Sequence, residues 1–226
     1  MKKQNKIKLV IFDLDGTLVD AYSAIELSLN YAREKFALGP VSFLKIKKSV
    51  GWGDKSLIEP FFKKDQVLKA LNIYRAHHKK ALIGHSRLFP FTKKLLETLK
   101  SSKIKLAVAT NRPTKYTNIL VRHLGIKKYF DVILCADKAK SYKPAPGILL
   151  SIMKKLKILP SEAFYVGDMT VDILAGKNAL LKTIAVLTGS CTRKELVKAR
   201  PFKILKNASF LPQVLTLENS RFLCKD

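Results

Sequence analysis

Asp13-Leu14-Asp15-Gly16-Thr17 follows directly on an apolar run and carries two carboxylates at i and i+2. On an extended segment such residues point the same way, and like charges that close are costly unless a cation sits between them. A magnesium ion resolves that conflict, and Gly16 permits a tight exit from the strand with backbone amides close to an anion. A second acidic pair lies in Gly167-Asp168-Met169-Thr170-Val171-Asp172, again after an apolar run. Asp168 falls at the turn and Asp172 one helical turn further up the same face. Taken alone, this pattern serves equally well as a helix cap, because an acidic residue at a helix N-terminus favours the dipole. Alongside the first motif it reads as further oxygen ligands for a hard cation.

Two smaller elements complete a phosphate site. Thr110-Asn111 ends a third apolar run, where a hydroxyl and backbone amides suit phosphate oxygens. Ser141-Tyr142-Lys143-Pro144-Ala145-Pro146 sets Lys143 in a proline-stiffened loop, where it can neutralise a phosphate or a nucleophilic carboxylate.

The elements that must position these residues follow a βαβ rhythm. Apolar runs at 8–12, 104–110, 132–135, 163–166 and 183–187 predict strands, and 113–123, 145–156 and 170–178 predict the helices between the later ones. The fold class is α/β, a doubly wound, Rossmann-like parallel-sheet core. Roughly ninety residues separate the first two strands, far more than a crossover needs. An inserted helical cap at 21–86, with helices at 24–36, 41–49 and 65–78, accounts for the gap and leaves 1–20 and 87–226 as the core. The tail adds apolar segments at 193–199, 203–205 and 211–217 that complete the core.

Composition narrows the class. Hydrophobic residues are 47% and charged residues 27% of 226, the balance of a globular protein and not of a disordered one. The opening lysines and apolar run imitate a secretory signal, but Asp13 and Asp15 interrupt it. No other apolar stretch approaches the roughly 18 residues of a membrane helix, so a cytoplasmic protein without membrane contact is expected. Cys135, Cys191 and Cys224 are odd in number and lack CxxC spacing, which argues against a disulfide framework and a zinc site. The 43 Lys and Arg against 17 Asp and Glu give a formal net charge of +26. Because the lysines are dispersed, they read as a solvated surface attracting phosphorylated metabolites, with no specific nucleic-acid partner.

Asp13-x-Asp15-Gly16-Thr17, Thr110-Asn111, Lys143-Pro144 and Gly167-Asp168-x-x-x-Asp172, in that order, resemble the four motifs of the haloacid dehalogenase-like hydrolase superfamily. The run from Asp172 to Ala179 and that from Ala185 to Ser190 look like its phosphoglycolate phosphatase branch. The resemblance implies Asp13 as nucleophile and Asp15 as general acid and base. It implies Mg²⁺ held by the Asp13 carboxylate, the Asp15 backbone carbonyl and Asp168, with Asp172 in support, and Thr110, Asn111 and Lys143 on the phosphoryl group. It implies a small phosphate monoester as substrate; a monomer or homodimer is expected. Asp15 argues against a dehalogenase, since a halide needs no proton on leaving, and Thr17 favours hydrolases over sugar-phosphate mutases. A pyrophosphatase, a nucleotidase and a basic nucleic-acid-binding protein on this fold are the competing readings.

Three other features stand out. Trp52, between Gly51 and Gly53, reads as a packed ring ahead of one lowered onto a substrate. His77 and His78 adjoin, so a helix points them apart, which places them at the surface and not on a metal. Arg75 has the chemistry to meet a substrate carboxylate.

Overall fold

The computed structural model describes residues 6–220; Lys2, Lys3 and Cys224 lie outside them. Strand β1 (Leu9–Phe12) is followed by β2 (Val19–Asp20), then helices α1 (Tyr22–Glu34), α2 (Phe43–Ser49), α3 (Asp54–Ile58) and α4 (Val67–His85). Next come β3 (Arg87–Leu88), α5 (Thr92–Ser101), β4 (Lys105–Thr110), α6 (Thr114–His123), β5 (Val132–Cys135) and α7 (Ala136–Ala139). The chain closes with α8 (Gly147–Leu156), β6 (Ala163–Gly167), α9 (Thr170–Asn178), β7 (Lys182–Val186), α10 (Arg193–Lys198), β8 (Lys203–Leu205) and α11 (Leu211–Ser220).

Six strands form one parallel sheet in the order β5-β4-β1-β6-β7-β8. The chain leaves β1 toward β4 on one side and returns from β5 to β6 on the other, so the strand order reverses at β1. The crevice beyond the carboxyl ends of β1, β4 and β6 is therefore the expected ligand position in such a sheet. Register fixes which side chains meet there: Phe12 lies level with Val108 and Val166, and Asp13 N–H still donates to Val166 O at 2.8 Å.

Strand alternation explains the two cores. Val10, Phe12, Leu106, Val108, Phe164 and Val166 face one side, under α5, α6 and α11. Leu9, Ile11, Ala107, Ala109 and Tyr165 face the other, under α8 and α9. Asp13 has the parity of Ile11, which sends its carboxylate toward α9 and the loop before α8. The sheet is buried on both faces, as a parallel sheet must be, so its strands are apolar throughout.

Helices α1 to α4 gather around their own apolar cluster, including Leu29, Ile46, Ile58 and Tyr74. Their two connections to the sheet pair as the antiparallel β2 and β3, Val19 opposite Leu88. The expected helix at 65–78 runs on to His85: Lys79 and Lys80 interrupt the apolar pattern, but Ala81 and Leu82 resume it and are buried. Helices α3 and α5 were not anticipated. In α5, Leu95, Leu96 and Leu99 are buried at helical spacing, and Leu96 has no exposed surface. Replacing Leu96 by Ala should cost about 3 kcal/mol of stability through the cavity left behind, read as a lower urea midpoint at unchanged slope.

Candidate active site

The turn after β1 brings Asp13 and Asp15 to the crevice. Gly16 has φ +80°, and a Cβ there would stand 2.6 Å from Asp168 Oδ2, so glycine is required both for the turn and for the approach of the β6 loop. Thr188, after β7, donates its hydroxyl to Gly16 O at 2.6 Å and braces that turn.

Three acids converge, with Asp13, Asp168 and Asp172 each offering a carboxylate oxygen within 4.8 Å of the others, all buried. Asp168 accepts Thr17 Oγ1–H at 3.0 Å and Ser190 N–H at 3.2 Å. Asp172 serves both readings of its motif at once. Its Oδ2 accepts Met169 N–H at 3.0 Å, the helix-capping role, while its Oδ1 accepts from Lys143 Nζ at 2.6 Å and from Tyr165 Oη–H at 2.7 Å. Lys143 Nζ also lies 2.8 Å from Asp13 Oδ1 and 3.0 Å from the Tyr165 hydroxyl.

One lysine among three buried carboxylates leaves an excess of negative charge. Burial pushes the Asp13 carboxyl from 3.8 to about 7, with Lys143 pulling it down and Asp172 adding to the rise. Burial, then Asp172 and Asp13, drive Asp168 well above the ordinary carboxylate range. Burial also works against the Lys143 ammonium, but Asp13 and Asp172 outweigh it and hold that group above its usual value. Crowded, hard oxygen donors with uncompensated charge fit a divalent cation.

Asp15 takes no part in that cluster, which corrects the expectation that one cation lies between the two acids of the first motif. Its carboxylate turns instead to Arg112, which donates from Nε to Oδ2 and from Nη2 to Oδ1, both at 2.8 Å. The third arm of Arg112 reaches His78 Nε2 at 2.8 Å. His78 is 1% exposed, and it stacks on Tyr74; only His77, which stacks on Tyr31, stays partly exposed. The expectation of two surface histidines therefore fails for His78, because α4 packs against α1 and α6 and residue 78 lies on its inward face.

Thr110 and Asn111 reach the same pocket, though with their side chains committed. Thr110 Oγ1 accepts Arg112 N–H at 3.1 Å. Asn111 Nδ2 donates to Gly51 O at 2.9 Å and to Lys143 O at 3.2 Å, and its Oδ1 accepts Lys143 N–H at 2.8 Å. Trp52 is 45% exposed and does not line the pocket, so neither reading of its ring holds; the loop is seated by Gly51, against Met169, and by Gly53, against Tyr142. Arg75 is occupied by Asp54, with Nε to Oδ2 at 2.7 Å and Nη2 to Oδ1 at 3.1 Å. The pocket, about 570 Å³ with its open mouth, is lined by the polar Asp13, Asp15, Thr110, Asn111, Arg112 and Lys143 and by the apolar Ile25, Val50, Leu57 and Met169.

Four site residues escaped the sequence reading: Arg112, His78, Tyr165 and, as a ligand of Asp168, Thr17. Arg112 had the strongest available signal, since it continues the Thr110-Asn111 turn. Tyr165 had only its parity, two positions before Gly167, inside a run that reads as plain core.

A family model of haloacid dehalogenase-like hydrolases matches residues 10–186. The chain belongs to that family. It is 31% identical over 183 residues to a phosphoglycolate phosphatase of Aquifex aeolicus, covering 81% of this chain and 86% of that one. It is 30% identical over 224 residues to a phosphoglycolate phosphatase of Vibrio parahaemolyticus, covering 95% and 98%. A crystal structure of a predicted phosphoglycolate phosphatase from Haemophilus somnus superposes with a TM-score of 0.87 at 25% identity, over 93% of this chain and 98% of that one. Within the family, this enzyme stands with the phosphatases. Among the described residues no helix is long and apolar enough to cross a membrane.

The charge excess predicts a pH-dependent response to metal. A carboxyl raised from 3.8 to about 7 contributes stability in full below 3.8 and loses it as pH climbs through about 7, and Asp168 acts in the same sense. A divalent cation removes that penalty. In thermal melts, therefore, the rise in Tm on adding a divalent metal salt to chelated protein should grow between pH 4 and pH 8, and Asp168→Asn should flatten it.

Proposed function

We propose that this enzyme hydrolyses a small phosphate monoester of the phosphoglycolate kind through a phosphorylated Asp13, with Mg²⁺ as its cofactor. The observation that carries the reading is the division of labour between the two acids of one turn: Asp13 sits beside Lys143 at the pocket floor, while Asp15 is held by Arg112 on the pocket wall. Two carboxylates in different environments can serve as nucleophile and as proton relay.

An Asp13 carboxylate oxygen attacks phosphorus, the ester P–O bond breaks, and the leaving alkoxide takes a proton from Asp15. Water then attacks the phosphoaspartate, its proton passes to Asp15, and the P–O bond to Asp13 breaks to release phosphate. Lys143 lies where it offsets charge on the nucleophile and on the incoming phosphoryl group. The Asn111 side chain, with both of its amide protons donated to carbonyls, frames the Lys143 loop beside the phosphate position. Asp13, Asp168, Asp172 and the Asp15 carbonyl would hold Mg²⁺, which supplies Lewis-acid neutralisation of the phosphoryl oxygens. Helices α1 to α4 form the cap, residues 21–86, covering the phosphate end of the pocket. The excess of lysine adds long-range attraction for anionic substrates.

A phosphate-release screen of small phosphate esters, pyrophosphate and nucleotides tests the substrate class. Turnover should be confined to small monoesters, lost in chelator, restored by Mg²⁺ and restored poorly by Ca²⁺, whose looser coordination spoils in-line attack. Preference for pyrophosphate or nucleotides would reject the substrate assignment, and full activity in chelator would remove the metal. Asp13→Asn should remain folded and lose turnover by a factor of at least about a thousand, since an amide cannot serve as the nucleophile.

A further inference from the structure

Arg112 is buried, on no known motif position of the sequence reading, and bonded to residues far apart in the chain. Its five donors are arranged in a fixed plane, and two of them clasp both oxygens of Asp15. A bidentate clasp fixes the carboxylate in direction as well as in position. It also leaves about half of the four acceptor sites of that carboxylate free.

The remaining arm identifies the tautomer of His78. A guanidinium only donates, so His78 Nε2 is the acceptor and the ring is neutral, with its proton on Nδ1. That proton goes to Ser28 Oγ at 3.1 Å, and Ser28 in turn donates to Ala24 O at 2.7 Å. Burial, reinforced by the Arg112 charge, keeps His78 well below its ordinary value and so keeps it an acceptor. A chain of hydrogen bonds thus runs from the backbone of α1, through α4, to Arg112 and Asp15. Two further bonds seat the 51–53 loop and α4 on the core nearby: Asn111 Nδ2 to Gly51 O, and Tyr116 Oη–H to Arg75 O at 3.1 Å.

We propose that Arg112 is a positioning residue that aims Asp15 at the water attacking the phosphoaspartate, and that His78 makes this aim depend on helices α1 and α4 being seated over the pocket. The inference rests on Asp15 being the proton relay. In the step concerned, the water oxygen bonds to phosphorus, the bond from phosphorus to Asp13 breaks, and the water proton goes to a lone pair of the Asp15 carboxylate that the clasp leaves free.

The test separates the two half-reactions. With an aryl phosphate in the presence of Mg²⁺, phosphorylation of Asp13 needs little protonation of the leaving group, while dephosphorylation still needs the base. Rapid acid quench and intact-protein mass measurement give both rate constants within one preparation, so a reduced folded fraction cancels from their ratio. Arg112→Lys keeps the charge but loses the clasp. It should slow dephosphorylation at least about tenfold more than phosphorylation, so that the singly phosphorylated protein accumulates. His78→Phe, which fills the space without an acceptor, should shift the ratio the same way, and His78→Gln, whose amide oxygen can accept from Arg112, should recover most of that shift. Equal slowing of both steps by Arg112→Lys, or a His78→Gln no better than His78→Phe, would overturn the proposal. Asp15→Asn is the control for the reading beneath it: if it accumulates phosphoenzyme and Arg112→Lys does not, the fault lies with Arg112 alone. If Asp15→Asn also fails to accumulate it, the proton-relay assignment falls, and the proposal with it.

Discussion

The structure is organised around an electrostatic debt: three carboxylates buried within 4.8 Å of one another, with a single lysine among them. Buried like charges are among the costliest arrangements a protein can hold, and this one is offset by donors to Asp168 and Asp172 and by the Lys143 ammonium beside Asp13. The Thr17 hydroxyl, the Ser190 amide, the Met169 amide, the Tyr165 hydroxyl and Lys143 each take a share. Those donors come from the β1 turn, the loop after β7, the start of α9, the β6 strand and the loop before α8. Much of the sheet's carboxyl edge is thereby committed to one cluster, and the parallel order that brings β1 between β4 and β6 is what makes such commitment possible.

A second constraint follows from the first. A fourth carboxylate, Asp15, lies only two residues from Asp13, and adding its charge to the cluster would deepen the imbalance. Arg112 draws it away from that cluster, where the guanidinium neutralises it in a clasp that is nine-tenths buried. Pairing with separate cations is also what gives the two acids different environments. Asp13 is left beside Lys143, and Asp15 is held in direction by the Arg112 clasp.

How much of this could be read from the chain depends on how far apart the partners are. Asp13 with Asp15, and Asp168 with Asp172, declare themselves because strand and helix periodicity fixes their relative placement within a few residues. Lys143 emerges from forty-odd other cationic residues only because prolines mark its loop. Arg112 and Asp15 are 97 positions apart, and His78 lies 34 before Arg112; no local period encodes either pairing. The same limit applies to the helices. Lys79 and Lys80 ended the reading of α4 early because a solvated pair of lysines is the same in sequence whether a helix stops or merely turns its wet face outward. Trp52 misled for the opposite reason: its type predicts burial, but its flanking glycines, Gly51 and Gly53, are what pack, and they carry the ring outward.

The turn from Thr110 to Arg112 is where these strands of argument meet. Its three side chains hold the turn itself, the Lys143 loop together with the 51–53 loop, and Asp15 together with α4. Residues that share partners in this way do not contribute independently, and energies measured by deleting them one at a time will not sum. A substitution in this turn acts on the turn's own backbone, on the placement of Lys143 and on the seating of the helices together. That coupling is compact. The residues that line the pocket are the same residues that bond to the 51–53 loop and to α4, so pocket and helices are joined through three consecutive residues instead of being relayed between distant sites.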